Sequence, residues 1–162
     1  MGNGTTGAKS GLVAGLVFGI LGTIFAEIIL MVEKTTIISS LNSYVKNLPS
    51  SIHLTAAQLY NLEMITAPIG AVAGGIILGL ILGVLFGMGV NKIPGKTSKV
   101  KGIVFGIIIW LILDVLLGLL SMSEFGIDYY LLGVGTGIIS ALAFGSILGT
   151  LFEKWQENPS ES

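Results

Sequence analysis

The sequence predicts an all-α membrane protein: four transmembrane helices in a tightly packed, glycine-striped bundle, with both termini cytoplasmic. Three observations predict it. Of the 162 residues, 52% are hydrophobic and only 10% are charged, whereas an ordinary soluble domain carries about 25% charge. The apolar residues gather into four runs, each long enough to cross a bilayer, which takes about 20 residues. The 24 glycines are not scattered; within those runs they recur at every fourth position.

The same composition excludes several functions. All eight basic residues are lysines, so no guanidinium is present for bidentate recognition of phosphate or carboxylate. A net charge of −1 gives no electrostatic footprint for nucleic acid. Without cysteine and with the single histidine His53, there are no disulfides, thiolate metal sites or clustered-His centres. No cofactor and no metal site is expected, and no catalytic residue is assigned. His53, in a polar loop with no spaced carboxylate, reads as solvated.

The first span covers about 11–32. It is too long for the apolar region of a signal peptide, carries Glu27 and lacks a clean cleavage site. Loop 33–64 follows. Ile37, Ile38, Leu41, Tyr44 and Val45 recur at helical spacing, which predicts a short surface helix. Asn47-Leu-Pro-Ser-Ser ends it. Thr55 is placed to cap a second helix, Ala56–Met64, that leads into the second span, about 65–90, with Pro68 near its start. A basic loop, 91–101, holds Lys92, Lys96, Lys99 and Lys101. The third span is about 102–122 and the fourth about 129–152, separated by the acidic turn Ser121–Asp128. Tyr129, Tyr130 and Trp155 suit the aromatic belt at the membrane boundary.

Lysine counting sets the orientation. With four spans, Lys9, Lys154 and the basic loop fall on one side, and only Lys34 and Lys46 on the other. Both termini and loop 91–101 are therefore expected in the cytoplasm and loop 33–64 outside, in a multi-pass protein of the cell membrane. The Asn3-Gly-Thr sequon then lies inside and is a chance match.

Four-residue spacing lines small residues along one helix face. In the first span the series is Gly7, Gly11, Gly15 and Gly19, continuing through Thr23 to Glu27. In the second it is Ala67, Ala71, Gly75, Gly79, Gly83 and Gly87. The fourth carries Gly133, Gly137, Ala141, Gly145 and Gly149. The third has Gly102 and Gly106, then Trp110, Asp114 and Gly118. Lipid is as apolar as leucine, so membrane helices associate by close backbone approach, which small faces permit. These stripes predict helix packing within the chain, with a second copy or with another membrane subunit. Ser10-Gly-Leu-Val-Ala-Gly-Leu-Val also echoes Lys101-Gly-Ile-Val-Phe-Gly-Ile-Ile, and Gly75–Gly83 echoes Gly137–Gly145. That pairing suggests two hairpins in parallel repeat, while Ile-Leu-Gly-Thr, shared by Ile20–Thr23 and Ile147–Thr150, leaves an inverted relation open.

Glu27 and Asp114 carry the chemical information. A carboxylate in the middle of a span costs about 2.5–3.5 kcal/mol on insertion scales. At a rise of 1.5 Å per residue, Glu27 stands about 24 Å and Asp114 about 18 Å from the cytoplasmic edge. Thr23, Thr136 and Ser140 fall in the same layer, about 18–24 Å deep. These five residues are the candidate ion or proton site.

Gly11-Leu-Val-Ala-Gly15, Glu27, the basic loop with Pro94, Gly102-xxx-Gly106-xxx-Trp110 and the glycine-striped last helix together resemble small prokaryotic inner-membrane proteins of the YagU-like kind. The resemblance covers the spans and not loop 33–64. It implies an integral membrane protein and nothing more specific.

The leading functional expectation is a non-catalytic integral membrane subunit. It would pack through its small-xxx-small faces as a homo-oligomer or as an accessory component of a larger membrane complex. Its partners are the lipid bilayer and other transmembrane helices. The alternative is a small proton- or cation-coupled transporter or channel using Glu27 and Asp114.

Overall fold

The structure, a computed structural model, describes residues 3–49 and 53–157. Among them every regular element is helical. Helix α1 spans Asn3–Val32. Helix α2, Lys34–Lys46, is the short amphipathic helix expected in loop 33–64; residues 50–52 of that loop lie outside the described residues. Helix α3 runs unbroken over Ala56–Gly89, so the expected outer helix and second span are one element. Thr55 caps it through a capping box: its hydroxyl accepts from the Gln58 N–H, and the Gln58 side chain accepts from the Thr55 N–H at 2.9 Å.

Three helices are long and apolar enough to cross a membrane: α1, α3 and α5, the last spanning Leu119–Glu157. The expected third span, 102–122, is not one regular helix. Helix α4 occupies only Ser98–Trp110. A π-helical turn, Leu111–Leu116, follows it, and the Leu117 N–H reaches back five residues to the Ile112 carbonyl at 3.1 Å. The chain reverses at Gly126, whose φ of 88° and ψ of 175° break α5 near its start. Such backbone is open to glycine because it has no Cβ. The acidic turn expected at 121–128 is therefore mostly helical, with its corner at this one residue.

The glycine stripes set the packing, and they do so inside the chain. Helices α1 and α3 run antiparallel with backbones in contact. A Cβ placed on Gly11 would stand 2.6 Å from Gly83 Cα; on Gly15, 2.7 Å from Gly79 Cα; on Gly75, 2.7 Å from Gly19 Cα. Gly7 meets Gly83 and Gly87 in the same way. Helices α4 and α5 repeat the arrangement: Gly102 faces Gly145 and Gly149, and Gly106 faces Ala141 and Gly145. The two hairpins share one register. Gly11 and Gly102 are matched, as are Gly79 with Gly145 and Gly83 with Gly149, so α3 and α5 correspond one helical turn away from the pairing of Gly75–Gly83 with Gly137–Gly145 read in the sequence.

The hairpins join mainly through α1 against α5. At the end holding both chain termini, Phe86, Leu148 and Phe152 are fully buried with Ala14 and Phe144. Phe86 meets Phe152 at 5.2 Å between ring centroids and Phe105 of α4 at 5.6 Å. Phe18 packs edge-on against Phe144 at 5.9 Å. Gln156 donates to the Asn3 side chain at 2.9 Å, tying the last helix to the first. At the other end, Leu30, Ile37 and Tyr60 form a second buried cluster beneath α2, joined by Met64, Phe125 and Tyr129. Tyr60 donates to the Leu30 carbonyl at 2.9 Å, pairing a group in the last turn of α1 that the helix itself leaves open.

Candidate functional site

Between the two clusters lies an open cleft of about 240 Å³, walled by α1, α3, α5 and the π turn. Asp114, Thr136 and Ser140 line it, together with Glu63, Tyr129 and Gly133. Thr23 and Glu27, expected in the same layer, are not among the lining residues. The sequence thus brings three of its five candidate residues together and leaves two aside.

Helix geometry explains the division. Four residues turn an α-helix about 40° past a full circle, so a four-residue stripe rotates slowly around its helix. Glu27 is two steps beyond Gly19, and Glu63 is two steps beyond Ala71. Each has therefore turned about 80° from the line of contact. In an antiparallel right-handed pair, stripes rotating toward the same end move to opposite sides. Glu63 comes round to the side where α5 packs, and Glu27 to the other. Glu63 was the residue sequence reasoning missed, because it falls in the expected outer loop. Continuing the series Gly75, Ala71, Ala67 by one further step would have found it.

Asp114 sits in the π turn, a geometry that often marks functional sites because it widens the helix and frees backbone groups. The turn is fixed from α5. Trp110 donates its indole N–H to the Val134 carbonyl at 3.0 Å, and Tyr130 donates its hydroxyl to the Val115 carbonyl at 3.2 Å. In the first hairpin, the Thr23 hydroxyl lies 3.0 Å from the Gly19 carbonyl and 3.2 Å from the Pro68 carbonyl. Pro68 and Val134 hold matching places in the two hairpins, each eleven residues before a matched glycine, Gly79 or Gly145. Thr23 matches Asp114, twelve residues after Gly11 and Gly102. The first hairpin therefore closes with a hydroxyl where the second carries a carboxylate.

Gly137 makes room for that carboxylate: a Cβ there would stand 2.7 Å from Asp114 Cγ. So Gly137 packs against a side chain rather than a helix backbone. Gly133, expected among the packing positions, has open space where its Cβ would be and instead forms part of the cleft wall. Asp114 is half-buried, and among the described residues its carboxylate has neither a hydrogen-bond nor an ion-pair partner.

Apart from the Tyr129 phenol, the polar side-chain atoms that line the cleft are of one kind. Thr136 donates its hydroxyl hydrogen to the Leu132 carbonyl at 2.8 Å or to that of Gly133 at 3.2 Å. Ser140, almost fully buried, donates to the Thr136 carbonyl at 3.3 Å. With these hydrogens engaged on their own helix, the hydroxyls turn only lone pairs to the cleft. Ionised Asp114 and Glu63 are acceptors as well. This lining suits a proton or a cation and repels an anion. Among the described residues no three His, Asp or Glu side chains cluster as metal ligands, so a metal cation would keep part of its water shell.

No curated protein and no solved structure matches the chain. A sequence family does, over residues 9–162, which takes in the whole cleft and every helix but the first turn and a half of α1. The chain belongs to the family of unknown function DUF6789.

Proposed function

We propose that this chain is a small membrane transporter or channel that passes a cation, the proton included, through the cleft at Asp114. One observation carries the reading: a half-buried carboxylate without a protein partner, held on a π turn and facing a cleft whose other carboxylate and engaged hydroxyls offer it acceptors, with the Tyr129 phenol the one side-chain donor among the lining residues. Such a group inside a bundle is costly to insert and marks an ion or proton path. In this reading α4 and the π turn together make a fourth pass. The chain ends, Lys9, Lys154 and the basic loop then face the cytoplasm, and α2 lies on the outer surface of the cell membrane. The six-to-two distribution of lysines supports that orientation.

The reading as a homo-oligomer or accessory subunit has less to rest on. Its docking surface was the set of glycine faces, and those of α1, α3, α4 and α5 are occupied within the chain at every expected packing glycine except Gly133. The test is flux in sealed vesicles reconstituted with the purified chain, reading internal pH and alkali-cation content after a gradient is imposed. Asp114→Asn is expected to lower the flux at least about tenfold, and Glu27→Gln to leave it unchanged. Flux equal in wild type and Asp114→Asn would reject the reading. Extraction at native abundance as part of a larger complex would then favour the accessory subunit.

A further inference from the structure

The cleft is not isolated. Toward α2 it adjoins a second cavity of about 130 Å³, with which it shares Leu30, Glu63 and Tyr129. That cavity shares Leu41 and Phe125 with a third, of about 350 Å³, between the exposed part of α2 and Glu124. Toward the chain termini the continuation is different. There a crevice of about 20 Å³ lies beyond Asp114, lined almost wholly by apolar side chains, and it borders the buried phenylalanine cluster.

From this sequence of cavities we infer that Asp114 is reached from the α2 end only, and that Glu63 is the selectivity residue of the path. Glu63 lines both the cleft and the cavity outside it, so a route from the α2 end to Asp114 passes its carboxylate. In a cleft with low-dielectric walls, a fixed charge concentrates ions of opposite sign and disfavours those of like sign. Glu124 lines the outermost cavity and adds a second negative charge at its mouth. On the far side, Phe18, Phe86, Phe105, Phe144 and Phe152 fill the core, and the buried Ser10 hydroxyl there is engaged on carbonyls of its own helix. Ser40 donates to the Glu124 carbonyl at 3.0 Å, holding α2 against the start of α5, where the path opens. The inference rests on the cation reading above and adds to it a side of access and a residue that sets the sign of charge.

The absence of cysteine in this chain makes the test direct. Single cysteines are placed at Gly133, whose Cβ would meet nothing within 4 Å, and independently at Thr136. Each variant in sealed vesicles is treated from one side with a trimethylammonium-ethyl or a sulfonatoethyl methanethiosulfonate. The thiolate displaces methanesulfinate and forms a mixed disulfide, read by mass. Cysteines at Tyr44 and Lys96 report the two faces. Both cleft cysteines are expected to react from the Tyr44 side alone and faster with the cationic reagent. Glu63→Gln is expected to lower the cation-to-anion rate ratio about tenfold, the effect of one unit charge acting on reagents of opposite sign at an effective dielectric near 20 with partial screening. Reaction from the Lys96 side, no reaction from either side, or a ratio unchanged by Glu63→Gln would overturn the inference. Labelling reads access whether or not anything is transported, so its failure and a failure of flux are distinct results.

Discussion

Gly79→Ala is the sharpest perturbation of this fold, because one methyl group meets backbone that cannot move aside. The new Cβ would stand 2.5 Å from Gly15 Cα and 2.9 Å from Gly15 N, where ordinary contact is 3.4–4 Å. Helices α1 and α3 must part by about 1 Å, and a gap of that size forfeits a quarter to a half of each dispersion contact along the seam. Overpacking of this kind costs about 1–3 kcal/mol. The opposing gain in helix propensity from Gly to Ala is at most about 1 kcal/mol. A single contact would leave these near balance. The zipper is longer: Gly7, Gly11, Gly15 and Gly19 all lie against α3, and a wedge at Gly79 loosens each. The expected net loss is about 2 kcal/mol. Gly74→Ala is the control, since its Cβ would meet nothing within 4 Å and only the propensity gain remains. The assay is unfolding of both variants in mixed detergent micelles, followed by circular dichroism and by protease sensitivity. Equal stability of Gly79→Ala and Gly74→Ala would refute the account of the glycines as backbone contacts.

Other outcomes follow from single contacts. Gly137→Ala drives a methyl into the Asp114 carboxylate; cation flux should fall severalfold while stability changes by less than about 1 kcal/mol, because the end of a side chain can swing away. Tyr130→Phe removes the donor to the Val115 carbonyl and should cost about 1 kcal/mol, with faster amide exchange confined to 111–118. Phe86→Ala empties the centre of the aromatic cluster, where Phe86 is fully buried, and should lower stability by about 3 kcal/mol or more. Thr55→Ala breaks the capping box of α3 at about 1 kcal/mol, seen as faster exchange in the first turn of that helix alone.

The sequence by itself determined the class and much of the packing. Low charge and long apolar runs require helices, since a bilayer leaves no water to satisfy free backbone groups. Glycines four apart must lie on one face, and that periodicity survives without knowledge of any partner. The Thr55 cap and the short helix on 34–46 were legible for the same reason: both depend on residues within a turn or two of each other. The tertiary structure decided what local patterns cannot. It decided that the glycine faces meet each other inside one chain. It also set a π turn at Leu111–Leu116, which is held by Trp110 and Tyr130 from residues 15–24 positions away. Above all it exchanged Glu27 for Glu63 in the cleft. Depth along a helix is additive in residue number, so sequence places Glu27 in the outer half of the bundle and Glu63 in the outer loop beside it. Direction around the helix matters only once a third helix covers one side of the pair, and α5, distant in the chain, supplies that side.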